Sequence, residues 1–243
     1  MSSMRLDRFL SDMTSFSRSD IKKYIRSGDV TVNGIPVYDP SCKVSADSDA
    51  VSFRNHEIRY ERYLYFMLNK PKGVVSATRD NLHRTCLDLL SEDDRRHDLF
   101  PAGRLDIDTE GLLLITNDGP LSHNLLSPSH HVDKTYLALV QGFVDENMVY
   151  DFASGFKIDD DFTALPSKLQ ILSHEDQFTE VSVTIHEGRF HQIKRMFQAF
   201  DMKVLSLKRV SMGPLKLDPD LKPGEYRRLT DNEAASLKGI QDE

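Results

Sequence analysis

Hydrophobic positions in the first sixty residues follow helical spacing first and strand spacing afterwards. Leu6, Phe9, Leu10 and Met13 recur at i, i+3, i+4 and i+7, which predicts a short amphipathic helix. Ser17 or Ser19 is placed to cap a second helix carrying Ile21, Tyr24 and Ile25, and Gly28 stops it. Asp29-Val-Thr-Val-Asn-Gly34 predicts a short strand running into an Asn-Gly turn. Residues 35–37 follow it, and residues 44–53 supply another extended stretch. These elements predict a small domain over residues 1–59, followed by a larger one over residues 60–243.

The larger domain opens on an aromatic-rich strand at residues 63–69, broken by Lys70-Pro-Lys-Gly73. Strand-like patterns recur at 112–116, 135–140, 169–172 and 179–185, the last with Val181, Val183 and Ile185 alternating onto one face. Helices are predicted at 120–126, with Pro120 at the start, and at 145–154 and 189–200. In the last of these, Phe190, Ile193, Phe197 and Phe200 are expected to form an apolar stripe. Strands and helices do not alternate regularly, which disfavours a doubly wound sheet or a TIM barrel. The expected class is α+β, with a mixed, mainly antiparallel sheet and flanking helices.

Composition narrows the function classes. Apolar residues make up 39% of the 243 and charged residues 28%, as in a globular protein rather than a disordered one. No apolar run approaches the ~18–20 residues of a membrane span. An acid lies within the first eight residues and no apolar core follows it, so a standard secretory signal is not expected. Cys42 and Cys86 are the two cysteines, with no CxxC or Cys/His ligand spacing; disulfide-scaffold and zinc-ribbon readings fail, and a reducing, cytoplasmic setting is expected. The formal net charge of −7 argues against a protein that coats nucleic acid indiscriminately. Charge is uneven, however. Residues 5–28 hold six Lys/Arg against three acids, and residues 186–209 hold six against two. Two local basic faces on an acidic body suit a selective polyanion binder.

Arg18, Lys22 and Arg26 recur every fourth residue, which stacks three cations on one helix face while Ile21 and Ile25 turn toward the core. With Arg5-Leu-Asp-Arg-Phe-Leu10 before them and Gly28-Asp-Val-Thr-Val-Asn-Gly34 after, this module resembles the S4 RNA-binding domain. The resemblance implies that Arg5, Arg18, Lys22 and Arg26 meet the phosphates of a folded RNA, recognised by shape more than by sequence.

Gly103-Arg-Leu-Asp-Ile-Asp-Thr-Glu-Gly-Leu-Leu-Leu-Ile-Thr-Asn-Asp-Gly119 resembles the RsuA-type pseudouridine synthases, enzymes that isomerise uridine in ribosomal RNA. Lys70-Pro-Lys-Gly73, Lys134-Thr-Tyr136 and Glu187-Gly-Arg-Phe-His-Gln-Ile-Lys-Arg-Met196 agree with that family in its order, so the likeness covers nearly the whole chain. The reaction breaks the N1–C1′ bond of uridine, turns the uracil and joins C5 to C1′. It involves no net redox change and imports no group, so neither cofactor nor metal is expected. A carboxylate suits it, attacking C1′ or removing the 2′ proton.

The resemblance places that carboxylate at Asp106. Asp108, two residues on, is the rival by spacing, since an extended chain would turn both to one side. Tyr136 shares a strand face with Lys134 and Ala138. Its family role is to stack on the uracil, and its phenol oxygen suits a proton shuttle at C5. The basic residue after the aliphatic one in the helix motif is Lys194 after Ile193. It is expected to pair with Asp106, by a single-point contact rather than the fork an arginine would make. Arg104 is expected to clamp phosphate, as is Arg195, while His191 and Gln192 stand either as polar substrate contacts or as helix-surface residues. A stacked uridine must be extruded to be reached.

The resemblance implies an enzyme acting on ribosomal RNA or a ribosomal assembly intermediate; no membrane association and a monomeric state are expected. His191-Gln-Ile-Lys194 resembles the small-subunit (16S) branch of the family. The alternatives are a large-subunit (23S) enzyme of the same family and a non-catalytic RNA-binding assembly factor. A glycosidase using Asp106 and Asp108 is disfavoured by their closeness in sequence.

Overall fold

The computed structural model describes residues 3–96, 98–127 and 130–239. The outermost residues of the two expected domains, 1–2 and 240–243, lie outside these. The chain divides into two compact units. One runs up to Leu64 and takes in Leu90–Leu99; the other takes Tyr65–Leu89 and the chain from Phe100 onward.

In the first unit β1 (Ser3–Arg5) leads into α1 (Leu6–Met13), and α2 (Arg18–Ser27) follows. Ser17 caps α2 by accepting from the Asp20 N–H, and Gly28 closes it at φ 86, a left-handed conformation that suits glycine. β2 (Val30–Val32), β3 (Ile35–Pro36), β5 (Val51–Phe53) and β6 (His56–Ile58) make a four-stranded sheet in the order β3-β2-β5-β6. β4 (Lys43–Ser45) pairs instead with β1. The stretch expected to be extended over 44–53 is therefore two strands in different sheets, because the turn between them carries Ala46, Asp47 and Asp49, and Asp49 accepts from the Ser45 N–H. Leu6, Phe9, Leu10, Ile21, Ile25, Val30, Val44, Val51 and Phe53 form the core.

The second unit is one nine-stranded mixed sheet. Its elements in chain order are β7 (Tyr65–Lys70), a 3₁₀ turn (Cys86–Leu89), β8 (Phe100–Ala102), β9 (Glu110–Thr116), α3 (Gly119–Leu126), β10 (Lys134–Gln141) and α4 (Glu146–Ser154). They continue with β11 (Lys168–Glu175), β12 (Phe178–Ile185), α5 (Gln192–Gln198), β13 (Lys203–Met212), β14 (Leu215–Lys216), β15 (Tyr226–Arg228) and α6 (Asp231–Lys238). The strand order is β11-β12-β10-β13-β9-β7-β15, with β14 on β13 and β8 on β9. The β13–β9 pair is parallel and the other pairs are antiparallel. This is the mixed, mainly antiparallel α+β arrangement that the pattern predicts.

Burial explains the patterns. All six residues of β7 and residues 111–116 of β9 are buried, so the middle of the sheet is covered on both faces and reads as continuous apolar runs. Toward its edge β12 alternates, with Val181, Val183 and Ile185 buried. β13, a ten-residue central strand, escapes the sequence pattern because Arg209 occupies an inward position, 2% exposed. Arg209 was counted within a basic surface run; it lies inside the sheet and donates from Nε to the Leu112 carbonyl at 2.8 Å.

The parallel β9–β13 contact depends on Gly111. It pairs with Arg209 at φ 104, and a Cβ there would lie 2.7 Å from the Arg209 nitrogen and closer still to its carbonyl oxygen. Gly111→Ala is expected to destabilise the protein by about 3 kcal/mol or more, through strain and a backbone clash together. Thermal or urea unfolding of the variant checks this, and a wild-type transition would contradict it.

Candidate active site

Asp106 lies on the connection from β8 to β9, and the local chain is a turn: the Thr109 N–H donates to the Asp106 carbonyl at 3.1 Å. Two clamps hold this turn. The buried Ser76 hydroxyl accepts from the Leu105 N–H and donates to the Leu105 carbonyl, both at 3.0 Å. The Gly73 N–H donates to the Ile107 carbonyl at 2.7 Å. The expectation of an extended chain through Asp106 and Asp108 is thus corrected, although the turn still presents both carboxylates to one partner.

That partner is Lys194, in the first turn of α5. Its Nζ lies 3.0 Å from Asp106 Oδ2 and 2.6 Å from Asp108 Oδ1. Asp106 and Lys194 are about three-quarters buried, whereas the Asp108 side chain is 63% exposed. Burial opposes the Lys194 charge, but the hydrogen bonds to Asp108 and Asp106 carry its pKa above the usual lysine value. The same bond from Lys194 is the main cause that lowers the Asp108 pKa. His191 Nε2 stands 3.6 Å from the other Asp106 oxygen, Oδ1.

Tyr136, on β10, closes the pocket from below. It is 7% exposed and lines one pocket with Asp106, Arg104, His191, Ile193 and Leu207. Lys134, Tyr136 and Ala138 are all buried on one strand face, as expected, and Tyr136 pairs across the ladder with Arg209. A neighbouring cavity of about 590 Å³ shares Arg104, Tyr136 and Arg189 with the pocket and adds Lys134, Glu187 and Arg209. It is large enough for a nucleotide. Burial, and then the Arg209 charge, press the Lys134 ammonium down to about 8; its Nζ donates to the Val132 and His186 carbonyls. Lys70 is also fully buried, and burial lowers its pKa to about 8 against the pull of Cys86, Asp108 and Asp106.

Sequence reasoning misplaced several residues around the pocket. α5 begins at Gln192 rather than at Arg189, because His191 takes a left-handed conformation at φ 50. Phe190 therefore stands outside the helix and is 74% exposed; the buried apolar face of α5 is Ile193, Met196 and Phe197. Gln192 lies on no helix surface. It is 4% exposed, donates to Glu187 Oε1 at 2.8 Å and accepts from the Arg189 N–H at 3.0 Å, so it braces the loop. Arg195 is placed outside the pocket, paired with Asp159 and lying over the Phe162 ring. Arg104 is exposed at the pocket rim. Sequence spacing gave no sign of Arg209 beneath Tyr136. Among the described residues no cluster of metal-ligating side chains occurs, and no helix is long and apolar enough to cross a membrane.

In the first unit the basic face is built on a buried acid. Asp7, with no exposed side-chain surface, accepts from Arg5 at 3.0 Å and from Arg18 at 2.8 Å, and Lys22 stands at 4.0 Å. These three cations remain between 42% and 49% exposed, while Arg26 is exposed one turn further along α2. Burial would raise the Asp7 pKa, but hydrogen bonds from Arg5 and Arg18 outweigh it and hold the group at about 2.

Comparison with known proteins agrees with both units. The RNA pseudouridylate synthase family matches residues 64–199, and the S4 domain family matches residues 4–50. The chain is 42% identical to an uncharacterized RNA pseudouridine synthase of Bacillus subtilis, over 98% of this chain and all of the relative. It is 42% identical to ribosomal small subunit pseudouridine synthase A of Escherichia coli, over 96% of this chain and all of the relative. A crystal structure of a pseudouridylate synthase superposes with a TM-score of 0.67 at 39% identity, covering 96% of this chain and 99% of that one. The chain belongs to the RNA pseudouridylate synthase family and carries an S4 domain in front of its synthase domain.

Asp7 generates a pH-dependent prediction. Its folded pKa, about 2, lies below the ordinary value of 3.8, so its stabilisation is complete above about pH 4 and is lost as pH falls through about 2. Asp7→Asn is expected to cost about 2–3 kcal/mol at pH 7, the worth of hydrogen bonds to a buried charge. Urea unfolding of both proteins between pH 7 and pH 2 checks the sign: the gap should hold down to about pH 4 and then narrow. A gap that widened with acid would contradict the assignment.

Proposed function

We propose that this member of the family isomerises a uridine of small-subunit ribosomal RNA to pseudouridine, with Asp106 as the acting carboxylate. The observation that carries the reading is the 3.0 Å Lys194–Asp106 pair, set in a pocket that Tyr136 also lines. The target must leave its stack to enter, at a cost of roughly a few kcal/mol. Phosphate contacts by the exposed Arg104 and by Arg5, Arg18, Lys22 and Arg26 offset that cost.

Inside the pocket the uracil lies against the Tyr136 ring, and Asp106 faces the ribose. The carboxylate either attacks C1′ and is displaced when C5 bonds there, or removes the 2′ proton and returns it as C5 bonds to C1′; both routes need it ionised, close to the sugar and held in orientation. Lys194 holds Oδ2, and the clamped turn fixes the backbone. Once N1–C1′ is broken, the uracil turns, C5 bonds to C1′, the C5 proton departs and N1 gains one. The Tyr136 phenol is the group in the pocket suited to that proton transfer. Lys134 and Arg209, buried beside Tyr136, supply positive potential where the departing uracil carries negative charge. No cofactor enters this scheme.

Relatives named for the small ribosomal subunit, 40–42% identical along nearly the whole chain, support that target over the large subunit. A ribosomal RNA substrate, naked or in an assembly intermediate, supports a cytoplasmic setting.

Mapping pseudouridine in total ribosomal RNA from cells with and without the gene tests the reading. One small-subunit position should lose its signal and regain it with the wild-type gene. A lost position in large-subunit RNA would overturn the target, and no lost position would overturn the catalytic reading. On the same RNA, Asp106→Asn is expected to slow isomerisation by about 10³-fold or more while RNA affinity stays near wild type. Asp108→Asn, more exposed and bound to the same ammonium, is expected to cost about tenfold or less. Single-turnover rates of the two variants check the assignment, and the reverse ranking would move the catalytic role to Asp108.

A further inference from the structure

Phe190 has neither the burial of a core residue nor the isolation of an incidental surface one. Its ring is 74% exposed and stacks on His191, with centroids 3.8 Å apart and planes 18° apart. His191 in turn stands 3.6 Å from Asp106 and lines the pocket, so the exposed ring marks the pocket mouth. The segment is rigid: Gln192 ties the Arg189 N–H to Glu187, and Arg189 is paired with the same acid at 3.4 Å. One face of the Phe190 ring is taken by His191, and the residue otherwise remains largely exposed. Around it the rim is cationic, with Arg189 adjacent and Arg104 lining the same pocket. A fixed aromatic face beside cations is the combination that holds unstacked nucleobases, since every base has a π-face and its phosphate an anionic charge.

We infer that Phe190 is a stacking platform for the nucleobase next to the target uridine. The inference rests on the reading of the pocket given above and deepens it. Extruding a uridine strips a stacking partner from its neighbours. A ring held at the pocket mouth restores one, and it does so in the flipped state alone. Binding energy of this kind lowers the cost of extrusion rather than strengthening the initial encounter. The occupant is a base rather than a protein side chain because His191, on which the ring stacks, lines the pocket proposed to receive the uridine, and Arg104 and Arg189 line it too.

The test uses the full-length enzyme and a small-subunit RNA fragment spanning the mapped uridine. Phe190→Ala and Phe190→Leu should each lower kcat/KM by roughly 5- to 100-fold, while Phe190→Tyr and Phe190→Trp stay near wild type. A leucine variant as active as wild type would show that bulk suffices and overturn the inference, as would an unimpaired alanine variant. The loss from Phe190→Ala should persist in a His191→Ala background. Its disappearance there would mean that the ring only positions His191, and would also overturn the inference.

A second arm places 2-aminopurine beside the uridine and binds the RNA to the Asp106→Asn protein. Fluorescence should be quenched with Phe190 and brighter with Phe190→Leu; equal signals overturn the inference. This arm needs no turnover. Its failure beside an active wild-type enzyme overturns the Phe190 role alone, whereas a wild-type enzyme that makes no pseudouridine overturns the reading of the pocket and this inference with it.

Discussion

One ammonium shared by two carboxylates joins the two chain segments that make the pocket. Lys194 comes from the start of α5 and Asp106 and Asp108 from the turn before β9, and neither segment belongs to the sheet beneath them. A lysine makes point contacts rather than a fork, so its geometry depends on having more than one acceptor. Asp108 supplies the second. With one oxygen of each aspartate on Nζ, the ammonium is held between them, and Asp106 keeps Oδ1 on the side of His191. The exposed aspartate thus stabilises the position of the buried one through a shared cation. An arginine in the same place could hold Asp106 alone; lysine makes Asp108 part of the arrangement.

The floor of the site obeys a different constraint. Tyr136 and Arg209 face each other across antiparallel strands, and Arg209 can lie there because the next strand presents Gly111, whose missing side chain lets two backbones close. A buried arginine and a buried lysine beside the same tyrosine cost desolvation energy that an apolar pair would avoid. Lys134 shows this directly in its lowered pKa. The two cations line the cavity next to Tyr136, where the proposed reaction, passing through an electron-rich uracil, has use for them.

Much of this was legible in the chain. Periodicity located α1, α2, β10 and β12, and the Gly103–Asp106 and Lys134–Tyr136 strings marked residues that the fold does bring to one pocket. The failures have local causes. An apolar stripe from Phe190 assumed that helical spacing begins where the hydrophobic residues do, whereas His191 at φ 50 delays the helix and turns Phe190 outward. β13 was missed because an inward arginine interrupts the alternation that reveals a strand. The helix-surface reading of Gln192 failed because sequence does not show Glu187 opposite it, although Gln192 does line the pocket. In each case a polar or exposed residue near the pocket departs from its usual environment.

The same economy explains how a protein of net charge −7 can hold RNA. In the first unit a wholly buried Asp7 gathers Arg5, Arg18 and Lys22. It removes one charge from their sum but orders three flexible side chains into one patch. Free arginine and lysine side chains each lose about 2 kcal/mol of rotamer freedom when a phosphate immobilises them. Cations already held by Asp7 have lost part of that freedom on folding, so less is lost on binding. If these cations meet phosphates as proposed, fewer positive charges, fixed in place, favour RNA whose phosphates match their spacing over RNA at large.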